Sequence, residues 1–150
     1  MNVPVLGERF LADHGELEAL FTRLLAAFEA DDREAIAGRW SEFDDRLSKH
    51  LEAEERFMIP RLSSSRPRDA RAILEEHRHI RSRLVEFGFK VDLHIVRLET
   101  ARGFVEELRA HARHEDEVLY RGADEHLTAL EHGALLAALT GPLRTDAPTG

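Results

Sequence analysis

Apolar side chains recur at alternating steps of three and four through four long stretches of this chain, a spacing that lines one face of a helix rather than of a strand. Phe10, His14, Leu17, Phe21, Leu24 and Phe28 mark the first stretch, about Gly7 to Glu29, which stops at Ala30-Asp31-Asp32. Ile36, Trp40, Phe43, Leu47, His50, Glu54 and Phe57 mark the second, from about Arg33 toward Pro60 and Leu62, closed by the polar loop Ser63-Ser64-Ser65-Arg66-Pro67, in which Pro67 could also open the next helix. The third begins near Arg68 and carries Ile73, His77, Ile80, Leu84, Phe87 and Val91, with Gly88 as a weak point and a turn through Asp92. Asp92 is expected to cap a fourth helix that reaches about Tyr120, with Ala101, Phe104, Leu108, His111, Glu115 and Val118 in register. A shorter helix is expected over about Asp124 to Leu139, ending at Thr140-Gly141-Pro142. No two-residue alternation runs long enough to support a strand. The pattern predicts an all-α, up-down-up-down four-helix bundle with a short C-terminal fifth helix. One domain is expected over residues 1–140, followed by a flexible tail over 141–150.

Composition narrows the function classes. With no cysteine among 150 residues, the chain holds no disulfide, thiol nucleophile or Cys-ligated metal. A net charge of −8 argues against a general nucleic-acid binder, which presents a basic face to phosphates. No run of about 18 apolar residues suggests a membrane span, and Met1 to Phe10 lacks the basic start and apolar stretch of a signal peptide, so a cytoplasmic setting is expected. What stands out is nine histidines beside one Trp and one Tyr.

The helical stripes show where four of those histidines go. A core-facing position normally holds Leu, Ile, Val or Phe, because an unpartnered buried imidazole or carboxylate costs a few kcal/mol. Yet each stripe contains one histidine: His14, His50, His77 and His111. Two continue with a glutamate one turn later, as His50-x-x-x-Glu54 and His111-x-x-x-Glu115, so each pair projects from one helix face. His14 and His77 lie early in their helices and His50 and His111 late. In a bundle of alternating direction all four fall in one layer near one end.

Four imidazoles and two carboxylates converging in a bundle core are a metal site in chemical terms. Imidazole suits Fe, Zn, Cu or Ni, and a carboxylate can bridge two cations while offsetting their charge. Six side chains exceed the needs of one tetrahedral zinc, whereas two metals sharing both glutamates would each hold two His and two carboxylate oxygens. Iron with an added oxo or hydroxo bridge would complete such a site and leave positions open for a small ligand. The other histidines read differently. His79 sits among charged residues on the polar face; His94, His126 and His132 lie in turns or the terminal helix and receive no role. His114, off the stripe, is read as a surface group, with support of the site from outside as the alternative. Glu18 makes a third His-x-x-x-Glu with His14 but lies at the edge of its stripe, and is read as a surface or supporting group rather than a ligand. Glu55 and Asp116 are expected to face solvent.

These residues resemble the haemerythrin-like, or HHE cation-binding, family of four-helix bundles with a non-haem di-iron centre. The resemblance covers about Phe10 to Arg121 and rests on Asp13-His14, on His50-Leu-Glu-Ala-Glu54-Glu55-Arg-Phe-Met-Ile-Pro60, on Glu75-Glu76-His77 and on His111-Ala-Arg-His-Glu115-Asp-Glu-Val-Leu-Tyr120. It implies that His14 and His50 bind one iron, that His77 and His111 bind the other, and that Glu54 and Glu115 bridge them. Zn or Mn is an alternative metal. Oxygen-carrying haemerythrins have a further histidine one turn away on the third helix, where this chain has Ile73 and Arg81, and their fourth-helix bridge is an aspartate at longer spacing. The set here looks more like the haemerythrin-like domains of bacterial iron-centre repair proteins and of iron- and oxygen-sensing regulators. The repair proteins usually add a cysteine-bearing domain, which this cysteine-free chain lacks.

The resemblance therefore implies a protein that binds or reacts with O2, NO or peroxide in oxygen, nitrosative or oxidative stress handling. The alternative is an iron- or oxygen-responsive module without turnover. Whether the chain is an enzyme is left open, since no general acid or base is placed beyond the unassigned His114 and Tyr120. No nucleic acid or membrane partner is expected, and the oligomeric state is left open.

Overall fold

The computed structural model describes residues 6–119. Within them the backbone is helical, with five helices and no strand among the described residues: α1 Leu6–Glu29, α2 Arg33–Phe57, α3 Ile59–Ser65, α4 Pro67–Asp92 and α5 Leu98–Val118. The expected helix at 124–139, the tail and Tyr120 lie outside the described residues. No helix among those described is long and apolar enough to cross a membrane.

Local chemistry accounts for most boundaries. Asp31 takes a left-handed φ of 51°, and Asp32 then caps α2 by accepting a hydrogen bond from the Ala35 amide at 3.2 Å. The second stripe does not run unbroken to Leu62. Pro60 has no N–H and its ring crowds the carbonyl four residues back, so α2 ends at Phe57 and the chain restarts as α3, with Pro60 in its first turn. Ser63, Ser64 and Ser65 accordingly belong to a helix rather than to a loop. Pro67 opens α4, as its fixed φ favours. Asp92 closes α4 instead of capping α5. The connection runs through His94, at φ 56°, to Arg97, the residue that precedes α5.

The four long helices pack through their stripes: α1 touches α2 and α5, and α4 touches the same two. Paired residues run in opposite numerical order across each seam. Glu18 meets Arg109 and Glu29 meets Arg102 between α1 and α5. Between α2 and α4, Trp40 stacks on Phe87 while Glu55 pairs with Arg81.

Two apolar clusters fill the interior. The larger is aromatic, with Phe21, Phe28, Trp40, Phe43, Phe87 and Phe104 at its centre. The smaller, at the other end, includes Phe10, Met58, Ile59, Leu62 and Ile73, with α3 forming part of its wall. Between them lies a buried polar layer of Asp13, His50, Glu54, His77, His111 and Glu115.

Candidate metal centre

The heptad-like spacing delivers every stripe histidine and glutamate to that layer. His50 with Glu54 and His111 with Glu115 are i, i+4 pairs, so each helix turns two donors to one interior point. Five of the six are buried, and the side chain of His14 is only 12% exposed.

All four rings turn Nε2 inward. His50 Nε2 lies 2.9 Å from Glu54 Oε1, and His111 Nε2 lies 3.1 Å from Glu115 Oε1. His77 Nε2 is 3.2 Å from Glu115 Oε2 and 3.8 Å from Glu54 Oε1. His14 Nε2 stands 3.5 Å from Glu115 Oε1 and 3.0 Å from His50 Nε2. Two overlapping donor sets result: His14, His50, Glu54 and Glu115, and Glu54, His77, His111 and Glu115, with the atoms of each set within 4.8 Å of one another. Both glutamates belong to both sets.

The outer nitrogens meet a second circle of carboxylates, handed from each helix to the next. Asp13 of α1 takes a hydrogen bond from His50 Nδ1 of α2 at 2.5 Å. Glu55 of α2 stands 3.5 Å from His77 Nδ1 of α4. Glu76 of α4 lies 3.3 Å from His111 Nδ1 of α5, and Asp116 of α5 lies 3.2 Å from His14 Nδ1 of α1, which closes the circle. At His50 and His111, where the contact has hydrogen-bond geometry, the carboxylate holds the proton on Nδ1 and leaves the Nε2 lone pair for the interior, the tautomer a metal ligand needs; at His77 and His14 the carboxylate lies beside Nδ1 without that geometry. Three of the four carboxylates are themselves backed. Arg46 holds Asp13 at 2.5 Å, Arg81 grips Glu55 through Nη1 and Nη2, and His114 donates to Glu76 at 2.6 Å. Among the described residues Asp116 pairs only with His14.

Glu55 is therefore less solvated than the helical pattern suggests, because it leans sideways to a ring on the neighbouring helix, whereas Asp116 keeps a partly exposed side chain while lying beside His14. His114 joins neither donor set and acts through Glu76. Glu18 also stays outside both sets and pairs with Arg109. His79 is exposed, with Glu107 3.7 Å away.

The protein groups alone leave this layer electrostatically unbalanced. Burial would raise Glu54, yet the charge of His50 and hydrogen bonds from its neighbours hold it well below the usual carboxylate range. Burial and the adjacent Glu54 charge push Glu115 well above that range. Burial opposes the charged form of His50, but Glu54 and Asp13 outweigh it and raise the ring to about 9. His14 is lowered to about 4 by burial and by the charge of His50. Two carboxylates this close cannot both ionise without a cation between them.

Cations fit the donor set. Among the described residues, His111 Nε2 and Glu115 Oε1 are buried without a hydrogen-bond partner although only 3.1 Å apart, a contact without hydrogen-bond geometry. Inward-facing atoms of this kind are acceptors awaiting a positive centre. Among the described residues, no lysine or arginine is buried in the layer to supply that charge.

One cavity, of about 40 Å³, opens on the centre. His14, His50, His111 and Glu115 form its floor, and Leu17, Phe21, Leu47, Leu51 and Leu108 its walls. Phe21 of the α1 stripe and Leu108 of the α5 stripe stand in this wall. Phe57 and Val118 instead pack, half-buried, on the smaller apolar cluster.

Fold and donors together define a class: an all-helical domain whose interior is equipped for cations with histidine and glutamate. The chain belongs to the hemerythrin HHE cation binding domain family, whose family model matches residues 6–123. Comparisons with curated proteins and with solved structures gave no match.

Proposed function

We propose that this domain is a non-haem di-iron protein that binds or reacts with O2, NO or peroxide, in the handling of oxygen or of oxidative or nitrosative stress. His14, His50, Glu54 and Glu115 would hold one cation, and Glu54, His77, His111 and Glu115 the other. The observation that carries this reading is the overlap of the two donor sets at both glutamates, since two cations sharing two carboxylates satisfy every inward donor at once. Zn or Mn would fit the same donors, but the reading favours iron for its family. Iron, when bound, supplies one-electron chemistry and a coordination position for a small ligand.

The protein's own part is to fix and shield. The circle of Asp13, Glu55, Glu76 and Asp116 sets ring orientation, and the apolar wall keeps water from the cavity floor. A cavity of about 40 Å³ suits a ligand of two heavy atoms, since one water needs roughly 10–15 Å³ by the same kind of measure. The opposed order of paired residues across the seams supports an up-down-up-down arrangement of α1, α2, α4 and α5. Independence from nucleic acid agrees with the net charge of −8, and a cytoplasmic setting is part of the same reading.

Metal analysis of anaerobically iron-loaded protein tests the reading. About two irons per chain are expected, with a visible spectrum that changes on adding oxygen or nitric oxide. Protein that retains no iron would overturn it.

A further inference from the structure

We propose that ligands reach the centre through the seam between α1 and α5, and that the Glu18–Arg109 ion pair is the door of that path. The proposal rests on the reading of the cavity as the ligand site and adds how it is entered and which charge it admits.

Most residues around the cavity are buried; those that are not are His14 and Glu18 on α1 and Arg109 and Ala112 on α5. The opening therefore lies between these two helices. Glu18 and Arg109 span it. Arg109 Nε donates to both Glu18 oxygens at 3.1 Å, its Nη2 donates to Oε1 at 2.5 Å, and Nη1 is held by Glu106 at 2.6 Å. The two side chains are 46% and 32% exposed, so water competes for the pair and swinging it aside is inexpensive.

A second observation points to the same seam. In the circle of carboxylates around the histidines, the step from α5 to α1 is the only one whose carboxylate, Asp116, has no hydrogen-bond donor behind it among the described residues. The histidine it serves, His14, is also the most exposed of the four. The corner of the centre with the weakest lateral support is thus the corner the cavity touches. The polar groups that line the opening are His14, Glu18 and Arg109, with Glu106 held on Arg109 and Asp116 beside His14. That balance is acidic, and with Arg109 already engaged it favours an uncharged ligand over an anion.

Stopped-flow mixing of iron-loaded protein with nitric oxide, and separately with azide, tests this, with metal content measured on every sample. Glu18→Ala should speed nitric oxide association about fivefold, which corresponds to ~1 kcal/mol, and should speed azide more because it frees the guanidinium. Arg109→Ala should speed nitric oxide similarly while leaving azide no faster, since only carboxylates remain. Both variants should keep the iron content of the wild type, because neither residue belongs to a donor set.

Nitric oxide rates within twofold of wild type in both variants, at unchanged iron content, would remove the door and leave the metal centre standing. Absence of iron in the wild type would instead overturn the reading of the centre. The door is then tested by xenon-induced shifts of the Leu17, Leu47 and Leu108 methyl resonances. Faster xenon exchange in Glu18→Ala is expected, and unchanged exchange overturns the door on its own.

Discussion

The two halves of this bundle are built on the same stripe and held together by different physics. In the half that contains Trp40 and Phe87, their rings stack with centroids 4.8 Å apart, Phe87 stacks on Phe104 at 5.3 Å, and Phe43 meets Phe21 edge-on at 5.2 Å. Each ring removes a large apolar surface from water, and the Trp40 indole N–H is the one polar group they carry. One layer further, stripe positions hold imidazoles and carboxylates, whose burial is unfavourable unless charge and hydrogen bonds balance. The first half explains why the chain folds. The second makes sense only as a binding site, because nothing about stability calls for two glutamates at the centre of a helical core.

If that division is right, damage to the aromatic half should be indifferent to metal. Phe43 is fully buried and touches Phe21, Trp40 and Phe104. Phe43→Ala should cost about 3–5 kcal/mol of unfolding free energy, equally in iron-loaded and chelator-treated protein, as read from denaturant midpoints at unchanged slope. A loss confined to the loaded protein would tie the two halves together and break the comparison.

The polar layer should behave in the opposite way. Burial and the Glu54 charge push Glu115 toward its uncharged form, and Glu115→Gln retains its shape and its capacity to hydrogen-bond. Without metal the variant should differ from wild type by no more than about 1 kcal/mol. With iron at about a thousand times its dissociation constant, wild type should gain roughly 4 kcal/mol, and the variant should forgo most of that gain while its iron content falls. Parallel denaturation curves with and without chelator give both numbers. An equal gain in wild type and variant would mean that Glu115 does not share a cation.

The six inward donors were legible because they sit on the stripes themselves, where a histidine replaces a leucine. The four carboxylates behind the rings were not, because helical periodicity assigns faces within one helix and says little about what a side chain meets on the next. Yet a trace was present: Asp13 precedes His14, Glu76 precedes His77, Glu55 follows Glu54 and Asp116 follows Glu115. Each lies about 100° around its helix from a stripe donor, which is enough to carry it across a seam to the neighbouring histidine. The break at Met58 was partly legible. Pro60 signals it, but the stripe continues through Ile59 and Leu62, so apolar spacing hid a helix end that missing N–H chemistry required.

Two glycines probe the aromatic half at its finest scale. Gly38 lies within α2, and a methyl group there would meet nothing within 4 Å; Gly38→Ala should stabilise the chain by about 0.5–1 kcal/mol through helix propensity alone. Gly88 offers the same gain on α4, but its methyl would lie 3.1 Å from Trp40 Nε1 and 3.6 Å from two carbons of the ring. Trp40 cannot retreat, since Phe43, Phe87 and Phe104 surround it at centroid distances of 5.5, 4.8 and 6.5 Å. Overpacking of about 1–3 kcal/mol should therefore outweigh the propensity gain, giving a net loss and a change in Trp40 fluorescence. A stabilised Gly88→Ala would show that the indole has room to shift, and that the aromatic half is less tightly interlocked than its ring contacts imply.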